Sequence, residues 1–150
     1  MVRLNELTFA FPEGFRLLNE DEIKELHINE TGDENIVMKD DDRHMLVSLS
    51  YQKVNPLFLA VLSLKEIVEK NETQTADLMR RFAYHKEAYL NTGKAQGFDY
   101  TYEAGGKKMY GASYNIKGKK GLYHIHFYLR DEERDLYERL TEEIMATAQA

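Results

Sequence analysis

His124 and His126 stand two residues apart in the run Leu122-Tyr123-His124-Ile125-His126-Phe127-Tyr128. On a β-strand that spacing sends both imidazoles to one face, as a pair of metal-ligating histidines requires. Two further runs, Phe98 to Ala104 and Lys107 to Lys117, are also β-patterned, and pairing all three brings Tyr100, Ser113, Asn115 and Tyr128 onto the same face. Aromatic walls with a few polar groups and small residues at Gly111 and Ser113 suit a small-molecule pocket. A serine beside an imidazole is also the start of a hydrolase, because a hydroxyl needs a neighbouring base to become a nucleophile. A metal would need a third ligand, and Asp99 and Glu103 fall on the opposite face in this register. The plainer alternative is a helix covering the face, with the tyrosines and histidines as packing residues whose polar tips are satisfied. The packing reading is the one expected, with the ligand or metal site as the alternative.

Other chemistry is poorly represented. The chain has no cysteine, which excludes disulfides, thiol catalysis and Cys-based zinc sites. Asp40-Asp41-Asp42 lacks the alternating spacing and distant Glu of a calcium loop and reads as a solvated turn. There is no Gly-x-Ser-x-Gly elbow and no glycine-rich phosphate loop, and Gly105-Gly106 lies between strands rather than opening a helix. No cofactor and no metal is expected. A net charge of −6 repels phosphate backbones and argues against nucleic-acid binding.

Leu57-Phe58-Leu59-Ala60-Val61-Leu62 is apolar all round a helix rather than along one stripe. Such a helix is either buried on most sides or covered by another chain, a protein partner or a second copy in a homodimer. Basic residues cluster at two loop tips, Lys117 with Lys119 and Lys120, and Lys107 with Lys108, where an acidic partner is one reading and solvation the other.

The elements that position these residues follow from pattern. Leu7, Phe9 and Phe11 alternate and end at Pro12-Glu13-Gly14, a first strand and a turn. Asn19 caps a short acidic helix with Ile23 and Leu26 inward. Ile36 to Lys39 and Met45 to Lys53 read as two strands joined across Asp40 to Arg43. Asn55-Pro56 starts a helix that runs to about Lys70. Residues 71–75 break it, and a second helix follows with Leu78, Met79, Phe82, Ala83, Lys86, Tyr89 and Leu90 as its stripe, closed by Asn91-Thr92-Gly93. The three-stranded meander comes next, with a two-residue Gly-Gly hairpin that sets Glu103 opposite Lys108. If its second loop, Gly118-Lys119-Lys120-Gly121, takes four residues, Ile116 stands opposite Tyr123, Tyr114 opposite Ile125, Ala112 opposite Phe127 and Tyr110 opposite Leu129, eight residues of one apolar face. A last helix, capped by Asp131, buries Leu136, Tyr137, Leu140 and Ile144, with surface pairs Arg134–Glu138 and Asp135–Arg139. Hairpin strands with grouped helices mean an α+β domain on an antiparallel sheet of five to six strands. The 150 residues show no linker or repeat, so residues 1–150 form one domain.

That order of elements, opened by Phe9-Ala10-Phe11-Pro12-Glu13-Gly14-Phe15, resembles the PsbP-like superfamily, which includes PsbP photosystem extrinsic proteins, bacterial DcrB-like proteins and a Ran-binding branch. The resemblance implies an α/β/α sandwich and a role in binding proteins or assembling complexes. One cytosolic branch, similar in size and acidity, serves as an adaptor or chaperone for secreted toxins. The opening Met-Val-Arg-Leu-Asn-Glu-Leu carries no apolar h-region, and the longest apolar run is far short of the roughly 20 residues of a membrane span. The expectation is therefore a cytoplasmic domain without membrane insertion, non-catalytic, acting as an adaptor or chaperone-like module through the 57–62 helix or a sheet face. The alternative is a small-molecule or metal-binding protein, a hydrolase included, using His124 and His126.

Overall fold

A computed structural model describes residues 1–26, 32–92 and 94–146. Nine strands and four helices follow in order: β1 (Val2–Leu4), β2 (Leu7–Phe9), β3 (Phe15–Leu17), α1 (Glu20–Glu25), β4 (Glu34–Asp40), β5 (Met45–Lys53), α2 (Pro56–Val61), α3 (Leu64–Leu78), β6 (His85–Thr92), β7 (Ala95–Ala104), β8 (Lys107–Lys117), β9 (Gly121–Arg130) and α4 (Arg134–Ala146). Seven strands form one antiparallel sheet in the order β3-β4-β5-β9-β8-β7-β6, and β1-β2 form a separate hairpin. The sheet thus has one or two strands more than the pattern suggested.

The meander keeps the expected register throughout. Glu103 opposes Lys108, and Ile116, Tyr114, Ala112 and Tyr110 oppose Tyr123, Ile125, Phe127 and Leu129. Gly105 and Gly106 take φ of 59° and 77°, the left-handed pair that a two-residue hairpin demands and that glycine adopts without a Cβ clash. The eight-residue apolar face is fully buried and forms the main core together with Met45, Val47 and Leu49 of β5. Tyr137, Leu140 and Ile144 of α4 cover it, joined by Leu4, Leu7 and Phe9 of the β1-β2 hairpin, with Leu136 partly buried at its edge. On the other face α1 packs Ile23 with Leu18 and Val37, while α3 packs Val68 on Phe98 and Tyr100. Helices on both faces make an α/β/α sandwich.

The pattern failed in one region. The helix opened by Asn55 and Pro56 ends after six residues, because Leu62 is extended and Ser63 caps a new helix through a bond from the Glu66 N–H. That second helix, α3, then runs unbroken through Asn71–Thr75, where a break was expected. It stops at Leu78, a 3-10 turn covers Arg80–Phe82, and Ala83 takes a left-handed φ of 54° that redirects the chain. Residues 85–92, expected as a helical stripe, become the edge strand β6. The open edge of β7 supplies backbone partners for that segment, and this tertiary pairing outweighs a helical periodicity that would have had no apolar surface to bury. Gly93, the expected stop, lies outside the described residues.

Smaller departures concern single side chains. Leu26 at the end of α1 is exposed rather than inward. Asp131–Glu133 form a 3-10 turn ahead of α4, and no side-chain cap bond joins it. Arg134 reaches out of its own helix to Glu87 and Asp131 instead of pairing with Glu138. Glu87 is available because β6 bulges between Lys86 and Ala88, and an extra residue in one strand turns that side chain out of register.

Candidate functional site

Antiparallel pairing of β5 with β9 and of β9 with β8 builds a small grid on the sheet face opposite the main core. Ser48 opposes His126, which opposes Ser113; Ser50 opposes His124, which opposes Asn115. One row further, Leu46 opposes Tyr128, which opposes Gly111. Tyr100 of β7 sits across Gly111, whose missing side chain leaves room for the ring: a Cβ there would lie 2.5 Å from the Tyr100 hydroxyl oxygen. That room lets the Tyr100 hydroxyl reach His126 Nε2 at 2.8 Å. Ser113 Oγ lies 2.6 Å from His124 Nε2, and the His126 and Tyr128 rings stack at 4.1 Å and 9°. The sequence-predicted polar set is thus assembled on one face.

Among the described residues, helices shield only the flanks of that face. α1 covers the β4 side and α3 the β7–β8 side. Between them an open cleft of about 610 Å³ runs over β5 and β9, with Ser48, Ser50, His124, His126 and Tyr128 on its floor and Gln74 and Leu78 of α3, with Met79 just after it, on one wall. The size is that of an ordinary small-molecule pocket. Asn115 is not part of it: it is buried beneath α3, where its Oδ1 accepts a 3.3 Å bond from Asn71 Nδ2. Its own Nδ2 has no partner among the described residues. Sequence reasoning missed Ser48, Ser50 and Leu46. Their alternation with Val47, Leu49 and Tyr51 was visible, but the neighbour of β5 in the sheet was not.

Burial decides the protonation of this floor. Desolvation pushes His124 down to about 4, and burial together with the adjacent His124 holds His126 well below the usual imidazole range. Burial raises the Tyr100 hydroxyl far above the ordinary phenol range and Tyr128 to about 12. At neutral pH every one of these groups is uncharged. Among the described residues no group of three or more His, Asp or Glu side chains could share an ion. Asp99 points to the other face, as the register required, and accepts from the Tyr110 hydroxyl at 2.5 Å and the Ala88 N–H at 2.9 Å.

The Ser113–His124 pair has the spacing of a nucleophile and its base, but not the setting. Ser113 lines the cleft but is only 1% exposed, so it offers a substrate very little surface. An imidazole with a pKa of about 4 is a weak acceptor of the serine proton at neutral pH. Among the described residues no carboxylate orients His124, and the adjoining strand backbone pairs within the sheet, away from any oxyanion. The pair is a hydrogen bond that satisfies two polar groups.

The apolar helix α2 presents the opposite picture to a packed element. Leu57, Phe58 and Val61 are 81%, 67% and 79% exposed, whereas Leu59 is 4% exposed and anchors the helix. Leu62 is half-buried, and its carbonyl accepts from Lys117 Nζ at 3.0 Å. The Val54 N–H donates to the Lys120 carbonyl, which sets the basic β8–β9 loop beside α2. The sequence-predicted interface therefore divides: Leu57, Phe58 and Val61 face outward, Leu59 and Leu62 serve as anchors.

Solved structures share this architecture. LpqN, described as involved in cell envelope biogenesis of Mycobacterium tuberculosis, is 12% identical with a TM-score of 0.56 over 95% of this chain and 82% of its own. A point mutant of the protein Mog1 is 12% identical with a TM-score of 0.60 over 96% and 90%. The cyanobacterial PsbP protein (CyanoP) of Synechocystis is 11% identical with a TM-score of 0.50 over 99% and 95%. The fold is PsbP-like. At these identities the likeness concerns the fold alone, and a fold by itself does not imply a function. No protein-family model and no curated protein matches the sequence. Among the described residues no helix is long and apolar enough to cross a membrane.

Proposed function

We propose that this PsbP-like domain is a non-catalytic protein-binding module, an adaptor or chaperone-like unit, that docks its partner on α2. The observation that carries the reading is the outward trio Leu57, Phe58 and Val61 on a helix that is itself held firmly. Asn55 Oδ1 accepts from the Leu57 N–H at 2.9 Å, Pro56 fixes the first turn, and Leu59 pins the underside. Rigid presentation of large apolar side chains limits the ordering cost of binding, which is how such anchors contribute affinity.

The surroundings say what kind of surface fits. The basic β8–β9 turn, with Lys117, Lys119 and Lys120, lies beside α2 on a chain of net charge −6. A partner with an apolar centre and an acidic rim matches both features. A second copy of this chain is the competing occupant, and self-association through the patch distinguishes it. The cytoplasmic setting expected from the sequence belongs to this proposal, and cell fractionation tests it.

The test compares the wild-type protein with the Leu57→Ser/Phe58→Ser/Val61→Ser variant in quantitative capture from the source lysate, with sedimentation of each at rising concentration. A captured protein that is lost with the triple variant, and lost from the wild type as salt is raised, supports the reading. Identical captures by both proteins, or concentration-dependent self-association abolished by the variant, would overturn it. Circular dichroism melting of the variant, expected within a few degrees of wild type because the three side chains are already solvated, keeps misfolding from mimicking the result.

A further inference from the structure

We propose that the cleft over β5 and β9 binds an uncharged, polyhydroxylated ligand with one apolar face, the chemistry of a neutral mono- or disaccharide. This inference is independent of the α2 patch and of any protein partner.

Three observations converge on that chemistry. First, none of the described side chains lining the cleft carries a charge at neutral pH, although charged residues make up 31% of the sequence. A ligand with a net charge would lose its hydration there without gaining an ion pair, and that loss is prohibitive for a desolvated charge. The imidazoles do not change this, since burial keeps both neutral. Second, the floor offers a set of fixed polar groups with spare capacity. The engaged nitrogen of each imidazole is Nε2, and the His124 and His126 Nδ1 atoms have no described partner. The Ser48 and Ser50 hydroxyls and the Tyr128 hydroxyl also lack one among the described residues. An apolar occupant would strip water from all of these without replacing the bonds, at about 1–3 kcal/mol for each group fully buried. Hydroxyl groups both donate and accept, so a polyol can satisfy serines, a phenol and neutral imidazoles in either role.

Third, apolar surface borders the polar floor on two sides, which suits a ligand with hydroxyls at its rim and carbons on one face. Leu46 and the edges of the stacked His126–Tyr128 pair lie on the floor, with Leu78 at the end of α3 and Met79 just after it on the wall. Neighbouring strands are about 4.8 Å apart and same-face residues on one strand about 6.8 Å. The Ser48, Ser50, His124 and His126 groups therefore form a patch on the scale of one sugar ring, inside a cleft of about 610 Å³ that leaves room for a second. The groups sit on central strands of the sheet, so they are positioned before the ligand arrives.

The experiment titrates the isotopically labelled protein with glucose, maltose and cellobiose, and with glucuronate as the charged counterpart of glucose, following backbone amides by NMR. The expected result is saturable shifts at residues 48–50 and 124–128 with at least one neutral sugar and binding at least about tenfold weaker to glucuronate. The Ser48→Ala/Ser50→Ala variant removes two unpaired hydroxyls, so it should melt at or above the wild-type temperature while its sugar affinity drops about tenfold or more. Absence of any saturable shift up to about 50 mM across the panel overturns the proposal. Glucuronate binding as tightly as glucose, shifts mapped away from the cleft, or undiminished affinity in the double variant each overturn it as well.

Discussion

Gly111→Ala isolates the device that holds the cleft floor together. The new methyl group would lie 2.5 Å from the Tyr100 hydroxyl oxygen and 2.8 Å from its Cε1, distances that no real pair of atoms sustains. Tyr100 is fully buried between Val68 of α3 and the sheet, with Tyr84, Phe98 and Tyr102 rings within 5.8 Å, so it has little room to retreat. Overpacking of this kind costs about 1–3 kcal/mol. Displacing the ring also breaks the 2.8 Å bond to His126 and leaves buried polar atoms unpaired, another 1–3 kcal/mol or so. The sum, about 2–6 kcal/mol, is a large part of the roughly 5–15 kcal/mol that holds a domain folded. In a chain of this length it corresponds to a fall of about 4–24 °C in melting temperature. Urea unfolding measures it directly, with an unchanged slope showing that the denatured state is not the cause. Gly105→Ala serves as the comparison: nothing lies within 4 Å of its would-be Cβ, so only the left-handed backbone strain of about 1–2 kcal/mol applies. Tyr100→Leu in the Gly111→Ala background should recover part of the loss, giving a coupling energy of about 0.5–3 kcal/mol. If Gly111→Ala stays within about 0.5 kcal/mol of wild type, or the two changes are additive, the close fit of ring over glycine is not what positions His126.

Further outcomes follow from the same geometry. Both cleft imidazoles have depressed pKa values in the folded chain, so the unfolded chain takes up protons first as pH falls below about 6.5. Stability should therefore be fully present above that pH and decline towards pH 4, by up to about 3 kcal/mol from His124 alone, and chemical unfolding of a His124→Gln variant should show a flatter profile over that window. Asp99→Ala leaves the Ala88 N–H and the Tyr110 hydroxyl without their acceptor and should cost about 2–4 kcal/mol, with accelerated hydrogen exchange appearing first at Ala88 in the edge strand β6. Asn55→Ala removes the cap of a six-residue helix and should cost about 1 kcal/mol, read as faster exchange at Leu57 and Leu59 with the rest of the sheet unchanged.

The meander was legible in the sequence down to individual pairs, because its signals are local. Gly105-Gly106 fixes the β7–β8 register and with it Glu103–Lys108, a four-residue loop at 118–121 fixes the β8–β9 register and with it Tyr114–Ile125, and period-two alternation fixes which residues share a face. The short helix capped by Asn19 and the helix start at Asn55-Pro56 were legible for the same reason, since a cap is made by residues within three positions of one another. Residues 85–92 were misread because Leu78, Phe82, Lys86 and Tyr89 do recur at helical spacing. What makes them an edge strand is the free backbone of β7, and nothing in the local sequence states where that edge lies.

The candidate site divides along the same line. Sequence alone placed His124, His126, Ser113, Tyr100 and Tyr128 on one face, because strand alternation is a property of the backbone. Only the tertiary structure put Ser48 and Ser50 beside the histidines, by pairing β5 with β9, a strand far away in the chain. Only packing decided that α3 lies over Asn115 while the middle of the face stays open, and that Leu59 turns inward while Leu57, Phe58 and Val61 turn out. Hydrogen-bond periodicity acts between near neighbours and is written in them; which surface covers which depends on the sum of many weak apolar contacts between distant segments, and that sum exists only once the chain has folded.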